Sequence, residues 1–383
     1  MARKLHSVDH FRSAAERRLP RFVFDYVDGG AGSESSVRRN VDALEAVRLV
    51  PRILNDCSTR DLSTELFGHR YAAPFGVAPI GFQNLIWPGA DLALAKSAAA
   101  MNLLYVLSTA GTASVEDIAA VAPNHFWFQL YIGGDDEIAY DLVARAEAAG
   151  ASALVVTVDV PIGSKRIRDL RNGFTQPFHP RPAMAWQLAS HPAWSLATLK
   201  SGGPRFRNME KYVAPGTPTA GVAGRIGSLA GARLDWNMVA EIRRRWPRKL
   251  LLKGVMHPGD ARRAAESGVD GVIVSNHGGR QWAGVPATIE ALPEIRQSVG
   301  RSAAVLFDGG LRSGDDIAKA IALGADFVLL GRAFMYGVGA MGAEGGPRTM
   351  KMLYDELDNA MCQLGARNIA ELAALDVRPP RAM

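Results

Sequence analysis

The stretch AVLFDGGLRSGDDIAKAIALGADFVLLGR, residues 304–332, holds one complete strand–helix unit and the strand that begins the next. Its apolar runs Ala304–Phe307 and Phe327–Leu330 are short and continuous, as expected of strands buried on both faces of a parallel sheet. Between them, Asp316–Ile321 has the spacing of an amphipathic helix, and Gly324 follows where a left-handed helix C-cap belongs. The stretch therefore predicts a β–α–β crossover.

The same alternation covers most of the chain from about residue 74 onwards. Eight strand–helix units predict an α/β fold of the (β/α)₈ TIM barrel type. A doubly wound open sheet is the alternative, but it would normally carry a glycine-rich nucleotide fingerprint after its first strand, and the sequence has none. The predicted strands are Phe75–Ala78, Tyr105–Leu107, Phe126–Leu130, Leu154–Thr157, Leu250–Lys253, Val272–Val274, Ala304–Phe307 and Phe327–Leu330.

Two segments lie outside this alternation. Residues 1–73 are predicted to form an N-terminal helical cap over the lower end of the barrel, which itself takes up residues 74–383. Residues 175–234 are predicted to be a long insertion after strand 4, rich in proline, glycine, tryptophan and basic residues. Because the strand–helix units build one core, we expect residues 1–383 to form a single domain.

Composition limits the classes of protein to which the chain can belong. With 48% hydrophobic and 21% charged residues, its 383 residues can bury a large core, which excludes a disordered class. The net charge of +6 favours an anionic partner, either a small acid or a lipid surface. Nothing in the sequence resembles a nucleic-acid-binding module.

The termini and the cysteines bear on location. The N-terminus has no apolar signal core, and no apolar run reaches the length of a membrane span, so we expect a cytoplasmic protein that could still lie on a membrane. Cys57 and Cys362 are far apart in sequence and fit no metal-ligand spacing. We interpret them as incidental thiols in a reducing compartment and expect no metal site.

Glycine-rich turns follow strands 7 and 8, at the end of the barrel where enzymes of this architecture place their chemistry. After strand 7 the sequence is Asp308-Gly-Gly-Leu-Arg312, and strand 8 ends in Gly331-Arg332. Glycines let backbone N–H groups approach a phosphate, and an arginine neutralises its charge. These turns predict a phosphate site for a phosphorylated substrate or for a cofactor. Plain glycine turns with solvated arginines are the alternative.

A histidine and an arginine follow strand 6 in the stretch Ser275-Asn-His-Gly-Gly-Arg-Gln281. The glycines between His277 and Arg280 keep other side chains away and let the backbone bend. An imidazole beside a fixed guanidinium can hold a carboxylate and move a proton next to it. A lone histidine at a strand end is usually structural, but the convergence of polar residues at the other strand ends favours a catalytic role.

Two more charged residues follow buried strands. Lys253 ends strand 5, where its cation would be poorly solvated and would need an anionic partner. Electron density on a cofactor ring would serve, and so would a buried ion pair with a carboxylate. Asp159, just past strand 4, could stabilise a protonated His277 or cap a helix.

These residues match a family of enzymes. Over essentially its full length the chain resembles the FMN-dependent 2-hydroxy-acid oxidoreductases, which convert a 2-hydroxy acid into the 2-keto acid. The run 275–281 is that family's signature, and supporting matches are Phe24-Asp-Tyr26, Trp127-Phe-Gln-Leu-Tyr131, Thr157-Val-Asp-Val-Pro161 and Lys253-Gly254. The resemblance implies FMN as the cofactor and assigns the phosphate site to it. A barrel that had lost its activity would show a broken signature.

The resemblance also implies roles for residues around the substrate. His277 would take a proton from the hydroxyl or the α-carbon, with Asp159 stabilising its charged form. Tyr131 would hydrogen-bond the substrate oxygen, and Arg280 would hold the substrate carboxylate. The implied catalytic residues are therefore His277, Asp159, Tyr131 and Arg280, and the implied substrate-binding residues are Tyr26, Tyr131, Arg166, His277 and Arg280.

For the cofactor, the resemblance implies contacts from nearly every strand end. Lys253 would stabilise negative charge on the flavin ring. The other residues that it places against the ring, the ribityl chain or the phosphate are Pro79, Ile80, Gly81, Ser108, Gln129, Thr157, Ser275, Asp308, Gly309, Gly310, Arg312, Gly331 and Arg332.

The substrate and the acceptor are suggested by smaller features. Residues 85–95, 168–172 and 191–196 are most like the mandelate-oxidising members; a lactate dehydrogenase or an oxygen-using oxidase is the alternative. Gly81 stands where oxidases of the family tend to carry alanine, which favours a dehydrogenase with a quinone or another acceptor. Ala110 replaces a large aromatic residue and would leave space for a bulky aryl or alkyl group.

The insertion bears on membrane contact. Its apolar residues, mixed with basic ones, predict a patch over residues 177–215 that lies on anionic lipid, at the inner face of the cell membrane. An active-site lid or an oligomer contact is the alternative, and the resemblance implies a homo-oligomer, a tetramer. The apolar residues concerned are Phe178, Met184, Trp186, Leu188, Trp194 and Leu196.

Overall fold

The computed structural model of the protein describes residues 5–132, 134–174, 182–229 and 231–378. Eight parallel strands within these residues close into a barrel in which each strand pairs with the next along the chain and the last with the first. The predicted (β/α)₈ TIM barrel is therefore confirmed. The strands are β1 Phe75–Val77, β2 Leu104–Ser108, β3 Phe126–Leu130, β4 Ala153–Thr157, β5 Lys249–Val255, β6 Gly271–Val274, β7 Ala304–Asp308 and β8 Phe327–Leu330.

Helices surround the barrel and cover its upper end. In chain order they are α1 Val8–Arg18, α2 Arg21–Asp28, α3 Ser35–Ala46, α4 Gln83–Ile86, α5 Ala90–Ala100, α6 Val115–Val121, α7 Asp136–Ala148, α8 Ile167–Arg171, α9 Pro182–Ser190, α10 Pro192–Ser201, α11 Thr219–Leu229, α12 Trp236–Arg245, α13 Pro258–Glu266, α14 Thr288–Val299, α15 Gly314–Ala322, α16 Arg332–Met341, α17 Gly345–Leu364 and α18 Ile369–Ala373.

Local sequence signals set where several of these helices begin and end. Ser114 caps α6: its side chain accepts from the backbone N–H of Asp117, whose carboxylate accepts from the Ser114 N–H in return. Gly150, Gly268 and Gly324 follow α7, α13 and α15 with positive φ angles of 83°, 78° and 106°. These glycines end the helices as predicted, because a residue with a Cβ rarely adopts that conformation.

The barrel interior follows from the two-residue period of a strand. Every second side chain of a strand points inward, and the lower inward positions are apolar. They are Leu104, Val106, Trp127, Ala153, Val155, Leu251, Ile273, Leu306, Phe327 and Leu329. The same alternation makes the last inward position of six strands polar, and these side chains are buried as well: Ser108, Gln129, Thr157, Lys253, Ser275 and Asp308. We call these six residues the polar layer.

The N-terminal segment reaches both ends of the barrel. Its antiparallel strands Thr64–Leu66 and His69–Tyr71 pack Leu66 and Tyr71 against the lower interior. Helices α2 and α3 instead reach the upper end, so the expectation that this segment covers the lower end is wrong for them. Asn40 of α3 exchanges two hydrogen bonds of 2.8 Å with Asn276, which follows β6. This long-range pairing has no counterpart in the local sequence pattern.

Helices α9, α10 and α11 lie in the predicted insertion, and residues 175–181, which include Phe178, lie outside the described residues. Trp194 of α10 is buried, and its indole N–H donates to the carbonyl of Leu85 at 3.0 Å. Phe206 stacks on Phe82 with ring centroids 4.6 Å apart. The insertion therefore packs onto the upper end of the barrel. No helix in the described ranges is long and apolar enough to cross a bilayer.

Candidate active site

A cavity of about 950 Å³ opens at the upper end of the barrel. Five predicted residues do not line it: Ser108, Gln129, Thr157 and Ser275, which belong to the polar layer, and Asp159. The structure brings the other predicted site residues together on its walls. They are Tyr26, Pro79, Ile80, Gly81, Tyr131, Arg166, Lys253, His277, Arg280, Asp308, Gly309, Gly310, Arg312, Gly331 and Arg332.

His277 is presented by a tight turn directly after β6. His277, Gly278 and Gly279 all have positive φ angles, of 57°, 61° and 74°. The side-chain oxygen of Asn276 accepts from the Gly279 N–H at 3.1 Å and holds the turn. A histidine in the left-handed region is strained, and such strain is typically kept where a side chain must be aimed at a site.

The imidazole of His277 is paired with a carboxylate. Its Nδ1 lies 3.0 Å from Oδ1 of Asp159. Burial on its own would raise the pKa of Asp159, but His277 and Lys253 outweigh it and hold that pKa below its ordinary value. A carboxylate at Nδ1 favours the tautomer in which Nδ1 carries the proton, which leaves Nε2 as the basic nitrogen. Of the two roles considered for Asp159, the geometry therefore favours pairing over helix capping.

Arginines and a tyrosine line the wall beside His277. Arg280 donates from Nη1 to the carbonyls of Tyr26 and Gly29 at 2.8 and 2.9 Å, and its guanidinium lies over the Tyr26 ring. Burial and the nearby charges of Arg166 and Arg332 lower the pKa of Arg280 to about 9. Cations gathered in a buried place are stabilised by an anion, so this wall suits a carboxylate. We call Arg166 and Arg280 the clamp.

Lys253 lies in the polar layer and takes part in a buried ion pair. Its Nζ is 2.9 Å from Oδ2 of Asp308 and donates to the hydroxyl of Ser275 at 2.8 Å. Burial on its own would lower the pKa of Lys253, but the carboxylates of Asp308 and Asp159 raise it above the ordinary value. The lysine is therefore a fixed cation in the cavity wall. The ion pair with Asp308 is compatible with the other predicted role, the stabilisation of negative charge on a cofactor ring.

The polar layer and the turns above it fit a flavin nucleotide. Among the described residues, Nε2 of Gln129 and Oδ1 of Asp308 are buried atoms without a hydrogen-bond partner. A ring with polar edges would supply those partners. Gly309 and Gly310 have φ angles of 108° and 92°, and α16 begins at Arg332, so backbone N–H groups are available for a phosphate.

Arg332 differs from the role implied for its side chain. Its guanidinium donates to the carbonyls of Val27, Gly278 and Gly29 at 3.0, 2.8 and 2.7 Å. The side chain thus ties α2 to the turn that carries His277. A phosphate at the start of α16 would then rely on backbone N–H groups there and on Arg312, whose Nη1 donates to the Leu311 carbonyl at 2.8 Å.

An aromatic wall adjoins the clamp through Tyr26, whose ring meets Phe82 and Phe174 edge-on and lies under Arg280. Phe82 stacks on Phe206 and on Phe174, with ring centroids 4.6 and 6.2 Å apart, and all three line the cavity. Beside them, a Cβ added at Gly81 would lie only 2.9 Å from the Cβ of Ala110. Sequence reasoning had singled out only the two small residues; the phenylalanines come from three distant segments, and only the fold brings them together.

An ionic network that sequence reasoning missed joins helices α2 and α8, both of which contribute residues to the cavity wall. Arg168 donates to Asp28 at 2.7 Å and also to Glu34, which joins α8 to α2 and to the start of α3. Burial on its own would raise the pKa of Asp28, but hydrogen bonds from Arg12, Tyr336 and Arg168 hold it well below its usual range. The stretch 168–172 had been used only for its resemblance, although its alternating charges indicate ion pairs.

Comparisons with known proteins agree with the geometry. The model of a family described as FMN-dependent dehydrogenase matches residues 15–379. An L-lactate dehydrogenase of Caulobacter vibrioides is 40% identical over 98% of this chain and 99% of its own, and one from Pseudomonas aeruginosa is 38% identical over 95% and 96%.

Solved structures are similar as well. The crystal structure of the monotopic membrane protein (S)-mandelate dehydrogenase has a TM-score of 0.93 and 36% identity, covering 98% of this chain and 100% of that one. Mandelate oxidase with (S)-4-hydroxymandelic acid has a TM-score of 0.86 and 36% identity at the same coverage. The protein therefore belongs to the FMN-dependent dehydrogenase family.

Proposed function

We propose that the protein oxidises an (S)-2-hydroxy acid with a bulky apolar side chain, of the mandelate type, to the 2-keto acid, and passes the electrons to a quinone or another acceptor. The observation that carries the proposal is that one cavity joins the His277–Asp159 pair, the clamp and the aromatic wall. L-lactate is the alternative substrate, because sequence relatives carry that name. Oxygen is the alternative acceptor, because mandelate oxidase is a structural neighbour.

FMN, when bound, accepts the two electrons of the oxidation as a hydride equivalent. The polar layer would hold its ring, with Lys253 as the cation that favours negative charge there. Gly309, Gly310 and Arg312, together with the backbone at Gly331 and Arg332, would hold the ribityl chain and the phosphate. Pro79, Ile80 and Gly81 would lie along the ring from the end of β1.

The protein's own side chains would do the acid–base work. Arg166 and Arg280 would hold the substrate carboxylate, and Nε2 of His277 would take the proton. Asp159 would stabilise the imidazolium that forms, because its carboxylate already lies at Nδ1. Burial, together with the Asp159 carboxylate, raises the pKa of Tyr131, so its phenol stays protonated at neutral pH and would donate to the substrate oxygen.

Anaerobic flavin reduction tests the substrate class. At equal low concentrations, (S)-mandelate should bleach the flavin of the purified protein at least about tenfold faster than L-lactate, because the aromatic wall gains apolar contact with the phenyl ring. Stopped-flow absorbance measures both rates. The variant Ala110→Trp should remove the advantage of mandelate and leave L-lactate nearly as fast as before, since Ala110 lines the cavity and a large side chain there takes up the room of the phenyl ring. If neither acid bleaches the flavin, the proposed function is wrong; faster bleaching by L-lactate supports the alternative substrate.

We also propose that the insertion holds the protein on an anionic membrane surface. Trp186 of α9 and Leu196 and Leu199 of α10 are 75%, 56% and 77% exposed, with Lys200 beside them, although Met184 and Trp194 of the same helices are buried. Apolar side chains next to a cation are typical of segments that lie in the lipid interface. A monotopic membrane neighbour supports the proposal.

Residues of the insertion also line the cavity, so a role as an active-site lid is compatible with membrane contact. The quinone, the homo-tetramer and the inner-face location stay predictions.

Vesicle co-sedimentation tests the membrane contact. The double variant Trp186→Gln, Leu199→Gln should bind vesicles of mixed zwitterionic and anionic phospholipid about tenfold less than the unmodified chain, because two apolar anchors are lost. The matched control is Ile53→Gln, since Ile53 is 79% exposed but lies outside the insertion. If the unmodified chain stays in the supernatant, or if all three proteins bind alike, the proposal is wrong.

A further inference from the structure

Asp169 is a buried carboxylate in the cavity wall that has no role in the proposed reaction. It lies in the short helix α8, and its Oδ2 is 3.7 Å from Nη1 of Arg166. Burial raises the pKa of Asp169, and the guanidiniums of Arg280 and Arg166 oppose that rise. The carboxylate therefore faces both arginines of the clamp, on the wall where a substrate carboxylate would bind.

Two of the other charged side chains near Asp169 have ion-pair partners of their own. Arg168 is paired with Asp28 and Glu34, and Asp25 is bonded to Arg21 and to the amide of Asn172. The guanidinium of Arg332 donates to backbone carbonyls, which are neutral, so it keeps its charge, and that charge acts on Arg280. The clamp is thus two guanidiniums with one carboxylate beside them, and Asp169 offsets one of its two positive charges.

We propose that Asp169 sets the charge of the acid that the clamp accepts, so that the site takes a monoanionic acid and discriminates against a dianionic one. The inference rests on the proposed function in one respect, the placement of the substrate carboxylate at Arg166 and Arg280. One substrate carboxylate and Asp169 together match the two positive charges of the clamp. A second negative charge on the ligand would have to share Arg166 and Arg280 with Asp169 and would be repelled by it.

The size of this effect follows from the short distances. Two unit charges a few ångströms apart near a protein surface interact strongly enough to change a binding constant by about tenfold or more. Asparagine has nearly the same shape as aspartate and no charge. The substitution Asp169→Asn therefore removes the repulsion with little change in packing.

Oxalate and oxamate provide a matched pair of probes, because they differ only in the replacement of one carboxylate by a neutral amide. Isothermal titration calorimetry of each ligand with the FMN-loaded protein gives the ratio of the oxamate to the oxalate dissociation constant. In Asp169→Asn the ratio of the oxamate to the oxalate dissociation constant should rise by about tenfold or more, because oxalate binds more tightly relative to oxamate. Asp169→Glu, which restores the charge, should keep the ratio of the unmodified protein.

A purely structural role for Asp169 predicts something else. Loss of packing or of the position of Arg166 would weaken both ligands in parallel and leave the ratio unchanged, and that result overturns the inference. Asp169→Ser supplies the same measurement if the asparagine variant does not fold. If neither ligand binds the unmodified protein, Arg166 and Arg280 are not the carboxylate site, and the inference is wrong.

The calorimetric readout needs no turnover, which separates this inference from the proposed function. A protein that oxidises no 2-hydroxy acid but shows the shifted ratio would refute the function and leave the role of Asp169 standing. A protein that oxidises (S)-mandelate but shows the same ratio in Asp169→Asn would support the proposed function and refute the role of Asp169.

Discussion

Replacing His277 with glutamine should slow the reduction of bound FMN by (S)-mandelate by about 10⁴-fold, the upper end of what a positioned base contributes. Glutamine keeps a polar side chain of similar reach, but its amide cannot accept the substrate proton. The side chain of His277 does not belong to the polar layer, so FMN content should be unchanged. Anaerobic stopped-flow measures the rate, and the absorbance of the purified protein gives its FMN content.

The control is His257→Gln. His257 caps α13 through a bond to the Gly259 N–H and does not line the cavity, so its loss should leave the reduction rate within about twofold. The reduction rate of Asp159→Asn should lie between those of His277→Gln and His257→Gln, because this variant keeps the imidazole but removes the anion at Nδ1. Reduction of the His277 variant at the rate of the unmodified protein would rule out His277 as the base.

Replacing Lys253 with methionine should destabilise the protein by about 3–5 kcal/mol and cost it its FMN, because the substitution leaves Asp308 buried without its cation. Methionine fills much of the same volume, so lost charge is the main change. Denaturant unfolding measures the stability, and the absorbance of the protein after gel filtration measures the FMN retained.

The same strand offers the control. Lys249 begins β5 and pairs with Asp270 at 2.7 Å, but its side chain is 46% exposed, so Lys249→Met should cost less than about 1 kcal/mol and leave FMN in place. The double variant Lys253→Met, Asp308→Asn should recover much of the stability but not the FMN, because it removes the unpaired anion without restoring the cation. Equal stability and equal FMN retention in both single variants would contradict the role given to Lys253.

The barrel could be predicted because its signals are local. A strand buried on both faces, such as Phe327–Leu330, is a short apolar run whatever surrounds it, and the glycine after α15 ends that helix by its own conformational freedom. The positions of α2 and α3 could not be predicted in this way. Their contacts, such as Asn40 with Asn276, join residues more than two hundred positions apart and leave no periodic trace.

The candidate site also contains some residues that local sequence signals could predict and others that they could not. The strand ends placed His277 and Lys253 together, because the carboxyl ends of parallel strands meet at one end of a barrel. Tyr26 and Arg166 came only from the resemblance, since neither follows a strand. Asp169 was missed, although its spacing of three residues from Arg166 in a short helix is a signal of an ion pair.

The attachment of α2 and α3 to the upper end of the barrel has a consequence for the making of the protein. Their partners, Asn276 and the guanidinium of Arg332, are translated more than two hundred residues after these helices. The turn that carries His277 is thus held at once by segments that are synthesised far apart in time. A nascent chain can form successive strands as it emerges, but it can complete its chemistry only after Arg332 has been synthesised.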